Sequence, residues 1–182
     1  MTRASVIETA RLLLRPPTLN DAPTLQAMWA RPLVRRWLWD DRIVTLEETR
    51  TLLVTNASML AEEEVGLWVV SVGPDAGVIG FAGYWYFHEP PRLELAYGLD
   101  DRWWGNGFAT EAAAALARYG FERCGFTAIE ASTDAPNGDS VRVLERVGFS
   151  PAPPRPGDEP GHLYFRLARQ AFDPARVPYL LR

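Results

Sequence analysis

The sequence predicts a mixed α/β domain, a sheet with helices on both faces. Three observations predict it. Hydrophobic residues make up 47% of the 182 and charged residues 23%, which supplies a core and is too apolar for a disordered chain. The turn and cap signals give the order β-α-α-β-β-β-α-β-α-β, with strands consecutive in the middle and alternating with helices afterwards. No repeat or linker interrupts that order, so the chain is expected to be one domain over residues 1–182.

Thr9–Arg15 is a short apolar run ended by Pro16 and Pro17, a predicted strand. Thr18-Leu-Asn-Asp21 is a capping box opening a helix to about Ala30, with Pro23 in the first turns, where a missing N–H costs little. Arg31-Pro32 breaks it, and Leu33–Asp41 is expected to form a short second helix carrying Trp37 and Trp39. A second capping box, Thr45 to Glu48, starts a helix to about Glu63. Leu67–Val72 and Val78–Phe87 are strands around the turn Gly73–Gly77, and Leu93–Leu99 is the third of that run. A helix follows from Gly107 to about Cys124, with Gly125 as its stop. Thr127–Thr133 is a strand. Asn137–Val147 is a helix with Val141, Leu144 and Val147 on one face and Gly148 at its end. Pro151–Gly161 is a polar loop, His162–Ala168 the last strand, and Phe172–Arg182 a surface tail.

The formal net charge is −4, which argues against a nucleic-acid or anionic-membrane partner attracted by bulk charge. All 19 basic residues are Arg, so no Lys can serve as nucleophile, Schiff base or phosphate-loop ligand. One Cys and two His make an internal disulfide impossible and a His/Cys zinc site unexpected. No signal pattern and no apolar run near ~18 residues is present, and a cytoplasmic location is expected. Cys124, at a helix end with no His close in sequence, is expected to pack rather than react.

The strongest local signal is Leu99-Asp-Asp-Arg-Trp-Trp-Gly-Asn-Gly-Phe-Ala-Thr-Glu111. A strand ends, a loop carries two glycines, and a helix begins. Such a loop turns backbone N–H groups toward one point at a positive helix terminus and suits a pyrophosphate. A plain strand-to-helix turn would use the same glycines. A Walker A loop is excluded by the missing Lys. A dinucleotide fingerprint lacks its third Gly, where Thr110 stands, although Glu130 keeps a weak form of that reading open.

Three segments together resemble the GNAT superfamily of acetyl-CoA-dependent N-acetyltransferases, and most of all its ribosomal-protein N-terminal acetyltransferase branch. They are Glu8-Thr-Ala-Arg-Leu-Leu-Leu-Arg-Pro16, Trp104-Gly-Asn-Gly-Phe-Ala-Thr-Glu-Ala112, and Asn137-Gly-Asp-Ser140 followed by Val-Leu-Glu-Arg-Val-Gly-Phe149. The resemblance implies a single domain with a mixed, mostly antiparallel central sheet. The loop fits the superfamily pattern as Arg102-x-x-Gly105-x-Gly107 or as Trp104-x-x-Gly107-x-Ala109. The second is preferred, because it puts the last glycine at the helix entry.

The resemblance further implies acetyl-CoA as cosubstrate, no metal, and direct attack by an amine in a ternary complex. Trp104, Gly105, Asn106, Gly107, Phe108, Ala109 and Thr110 would hold the pyrophosphate. Backbone groups of Tyr97 and Leu99 would pair with the pantetheine arm, and a distortion at Gly98 would turn an amide to the oxyanion. Asn137 and Ser140 would line the coenzyme, with Ser140 as acid for the thiolate; both also read as a helix cap. Glu94 is the candidate base. It also reads as a solvated carboxylate or a partner of Arg92, and a water chain would serve as well. His88 is expected to cap or solvate a hairpin. Asp158, Glu159 and His162 flank the last hairpin near the acceptor entry of relatives. Trp37 and Trp39 border that cleft or, like Tyr84 and Trp85, fill the core. The acceptor is a protein N-terminal α-amine or a small-molecule amine, and the chain a monomer or homodimer. The alternatives are a non-catalytic acyl-CoA-binding module and, more remotely, a dinucleotide oxidoreductase.

Overall fold

In the computed structural model, which describes residues 6–73, 76–177 and 179–181, the alternation of side chains along the central strands decides the layering. Pro74 and Asp75 of the predicted turn, and Pro178 and Arg182 of the tail, lie outside the described residues. Strand β3 (Leu67–Ser71) is buried on both faces. Leu67 and Val69 join Leu25, Met28, Trp29 and Leu53, from α1 (Ala22–Trp29) and α3 (Leu46–Glu62). Trp68 and Val70 join Ala113, Leu116 and Leu144, from α4 (Phe108–Glu122) and α5 (Gly138–Val147). Helices therefore cover both faces.

The remaining strands are β1 (Ile7–Glu8), β2 (Leu13–Arg15), β4 (Val78–Phe87), β5 (Arg92–Leu99), β6 (Ala128–Asp134), β7 (Ser150–Ala152), β8 (His162–Ala168) and β9 (Leu180–Leu181). They form a 9-stranded sheet in the order β7-β8-β6-β5-β4-β3-β2-β1-β9. Every pairing is antiparallel except β5 with β6, which meet in parallel at the single pair Glu94↔Glu130. Beyond that pair the two strands part, and the sheet is forked.

Both capping boxes are present, at Thr18/Asp21 and Thr45/Glu48. Asp21 also pairs with Arg15 at 2.6 Å. Asn56 bridges α3 to β3 by bonding both backbone groups of Leu67 (2.6 and 2.9 Å).

Several expectations need correction. The predicted strand Thr9–Arg15 is a strand only over Leu13–Arg15; Thr9 and Leu12 close a turn after β1 with backbone (2.9 Å) and side-chain (3.0 Å) bonds. The predicted helix Leu33–Asp41 ends early. Pro32–Arg35 forms α2, and residues 39–41 form a left-handed turn with φ of 59°, 52° and 59°. The loop Pro151–Gly161 begins inside β7, and the tail closes the sheet edge through β9; strands this short carry no periodic signal. No distortion occurs at Gly98. The β4–β5 register is continuous, and the irregularity lies between Val70 and Ser71. Gly98 instead makes room for Phe81, whose ring a Cβ there would meet at 2.7 Å.

Candidate functional site

The fork is the entrance to a cleft of about 600 Å³. Parity on β5 decides which backbone groups face it. Asp100 N donates to Ile79 O (2.9 Å), so even-numbered residues of β5 bond β4. Tyr97 and Leu99 turn theirs toward the opening. The parallel ends of β5 and β6 thus bound a crevice at the point where the strand order switches, the usual position for a ligand in such sheets.

The loop after β5 is braced from within. Asp100 accepts from Arg102 N (3.0 Å) and pairs with the Arg102 guanidinium, which holds its carboxyl below the ordinary value. Asp101 pairs with Arg31. The Trp104 indole donates to Leu99 O (2.9 Å), so that carbonyl is already engaged. The Asn106 side chain donates to the carbonyls of Trp103 (3.1 Å) and Trp104 (3.0 Å) and so braces the loop from within. Gly105 and Gly107 are left-handed, with φ of 76° and 77°. No atom lies within 4 Å of a Cβ built at Gly105, and only Arg11 Nη2, at 3.5 Å, near one at Gly107. Gly107 caps α4, which agrees with the second register of the loop pattern. The amides of Phe108, Ala109 and Thr110 have no acceptor within the helix. This open, donor-rich, positive terminus fits a pyrophosphate. Phe108 itself is buried under Arg11 (4.7 Å to its ring), so only its backbone can serve.

The opening motif has a visible purpose here. Glu111, in the first turn of α4, accepts from Thr9 Oγ1 (2.6 Å), Arg11 N (2.9 Å) and Arg11 Nε (2.7 Å), and Arg11 Nη1 donates to Asn106 O (3.0 Å). Burial pushes the Glu111 carboxyl up, but these donors more than offset it and hold it below its ordinary value. The β1–β2 turn is thereby bolted to the phosphate loop.

On the α4–α5 face, Asn137 Oδ1 accepts from Ser140 N (3.2 Å), as a cap should. Ser140 Oγ also shares a 2.9 Å hydrogen bond with Tyr97 OH, which is 3.1 Å from Ser140 O as well. Burial, slightly offset by this bond, pushes the Tyr97 phenol up to about 12. It stays protonated at working pH and can hold a hydrogen bond without losing its proton.

On the opposite face, Glu94 is 2% exposed. Its Oε1 lies 2.8 Å from His88 Nε2, and its Oε2 accepts from Ser132 Oγ (2.5 Å). Glu94 is therefore neither solvated nor paired with Arg92, which bonds Asp158. That ion pair, with Arg155 N donating to Asp158 (2.6 Å), removes Asp158 from the candidate bases. His88 is a second correction. A left-handed φ of 69° turns its ring back over the sheet and against Tyr164 (5.8 Å) instead of into solvent. No local pattern announces that backbone conformation. Ser132 was also missed, because pairing of β6 with β5 depends on register. Glu159 and His162 line the cleft.

Trp37, Trp39 and Trp85 line the cleft, as does the buried Trp29, while Tyr84 is core and donates to Leu116 O (2.8 Å). Half-buried Cys124 has its thiol pushed up to about 11 by burial. Among the described residues no group of three or more His, Cys, Asp or Glu is placed to hold a metal, and no helix is long and apolar enough to cross a membrane.

Comparison with known proteins agrees with this geometry. An uncharacterized N-acetyltransferase p20 of Bacillus licheniformis is 30% identical over 142 residues, 78% of this chain and 80% of that protein. The crystal structure of an acetyltransferase from Agrobacterium tumefaciens superposes with a TM-score of 0.79 at 25% identity, covering 90% of this chain and 94% of that one. RimL, a ribosomal L7/L12 α-N-protein acetyltransferase solved with coenzyme A, shares the fold with a TM-score of 0.73 at 18% identity, covering 91% and 99%. The acetyltransferase (GNAT) domain family matches residues 11–150. The chain belongs to that family, and with it to the acetyl-CoA-dependent N-acetyltransferases.

Proposed function

We propose that the chain acetylates a primary amine, a protein N-terminal α-amine or a small-molecule amine, that reaches the fork from the α1–α2 face while acetyl-CoA lies along α4 and α5. The observation that carries this reading is Glu94: a buried carboxylate at the point where the sheet opens, held by His88 and Ser132. An amine of pKa ~8–10 arrives mostly protonated and must lose a proton before it can attack. Glu94 accepts it, and His88 provides the next station toward solvent.

The amine nitrogen then bonds to the thioester carbonyl carbon. The amides of Tyr97 or Leu99 receive the oxyanion, because they face the opening. Collapse breaks the carbon–sulfur bond. The thiolate takes a proton through Ser140, whose hydroxyl is paired with the Tyr97 phenol, and the second proton of the amine leaves through Glu94. The loop Trp104–Thr110 and Asn137 hold the coenzyme.

The test is Glu94→Gln with one acceptor across pH. A base role predicts a loss in kcat/KM of roughly 10²-fold near pH 7, shrinking as the free amine becomes abundant. A small loss, uniform at every pH, would mean that Glu94 is structural and solvent takes the proton.

A further inference from the structure

Glu94 is placed to hold a proton but not to meet the amine that gives it up. It is 2% exposed, and both of its carboxylate oxygens are engaged, Oε1 by His88 Nε2 (2.8 Å) and Oε2 by Ser132 Oγ (2.5 Å). A neighbour therefore stands between the carboxylate and the cleft, and there are two to choose from.

His88 comes from the wrong side. It precedes β5 and reaches Glu94 from the β4–β5 turn, away from Tyr97 and Leu99, with its ring against Tyr164 (5.8 Å). Ser132 comes from the fork. Glu130 is the residue of β6 that pairs with β5, and Ser132 lies two residues, about 7 Å, further along the parallel direction. Ile129 and Ala131 are buried in the cluster with α4 and α5. By alternation Ser132 projects from the opposite face of the sheet, the face of Glu94 and Ala96. It is half-buried and lines the cleft where the two strands have parted.

The hydroxyl has the chemistry the position needs. An ionised carboxylate only accepts, so the Ser132 hydrogen points to Glu94 Oε2 and the lone pairs of Oγ stay open. Among the described residues its one other contact is His88 Nε2 at 3.5 Å, a nitrogen already 2.8 Å from Glu94 Oε1. A hydroxyl that has donated to a carboxylate is also a better acceptor, because hydrogen bonds in a chain polarise one another. An ammonium N–H entering the fork finds its acceptor there.

We propose that Ser132 is a catalytic residue: its Oγ receives the amine's proton and passes its own to Glu94. The ammonium N–H bond breaks as an O–H bond forms on Ser132. The original Ser132 O–H bond breaks as one forms on Glu94 Oε2. The ammonium becomes a free amine, the carboxylate becomes a carboxylic acid, and the serine is regenerated. The freed lone pair is left on the fork side of Glu94, where the thioester carbonyl is received. This rests on the reading of Glu94 as base and adds the residue that connects it to the acceptor.

Ser132→Val removes the hydroxyl, and Ser132→Thr, of the same shape, keeps it; both suit a strand. Two small amines are the probes, chosen to enter the cleft whatever the natural acceptor is. Ethylamine is an ammonium ion at neutral pH. Trifluoroethylamine, of similar size, is a free amine there. Release of coenzyme A is the rate readout. With ethylamine, Ser132→Val should lower kcat/KM roughly 10²-fold and Ser132→Thr about threefold or less. With trifluoroethylamine, which needs no first deprotonation, the Ser132→Val loss should shrink to a few-fold. Damage to the fold or the coenzyme site would depress both amines alike. Glu94→Gln should match Ser132→Val with ethylamine, and the double variant should lose no more than either alone, because the two act in one chain.

Equal losses with both amines would overturn the proposal. So would additive losses in the double variant, or a Ser132→Thr as slow as Ser132→Val. A full rate in one single variant beside a slow one in the other would overturn the relay; if Glu94→Gln is the slow one, Glu94 stands as base by another route. Full rates in both, or no coenzyme release with either amine from the unaltered enzyme, would overturn the relay and the base reading together.

Discussion

Ser140 is held from two sides, its amide by Asn137 and its hydroxyl by Tyr97, so its place in the helix cap and its place in the cleft lining coexist. A group that serves the departing thiolate acts in the transition state, so Ser140→Ala should lower kcat about tenfold and leave the KM for acetyl-CoA within about twofold. Tyr97→Phe should give a smaller loss of the same kind. Steady-state kinetics with saturating acceptor decides it: a rise in coenzyme KM alone would make Ser140 a cap and nothing more. That Ser140 and Glu94 line the cleft was legible because each belongs to a motif or strand with fixed spacing. His88 was not, because its position depends on one backbone angle that a non-glycine residue seldom adopts.

At the scale of elements, long periodic segments were legible nearly to the residue: α3, α4, α5, β4 and β5 fall where caps, glycines and apolar spacing put them. The two- and three-residue strands β1, β2, β7 and β9 were not, since pairing across the sheet defines them rather than anything local. Yet the opening motif proves more than a strand. Its Thr9 and Arg11 reach Glu111, 102 and 100 residues away, and fix the first turn of α4. Glu111→Gln keeps the shape and removes the charge that gathers these donors. It should weaken acetyl-CoA binding several-fold by calorimetry and leave the acceptor KM unchanged. Unchanged coenzyme affinity would show that the brace tethers the β1–β2 turn without tuning the loop.

For the whole molecule, the fork divides the labour. One apolar cluster carries α4 and α5; the other carries α1 and the first half of α3. Glu94 stands where they meet. The topology was legible as a mixed sheet. The fork was not, because the single pair Glu94↔Glu130 is a fact of register. That single pair has a consequence for isotope exchange. Past it, β5 is a ladder with rungs missing, so the amide hydrogens of Tyr97 and Leu99 should trade for deuterium far sooner than those of Ala96 and Gly98, which bond β4. Coenzyme A should supply the absent rungs and slow the exchange of Tyr97 and Leu99 selectively. Mass spectrometry at single-residue resolution would show a strand whose alternate positions are sealed only when the substrate is aboard.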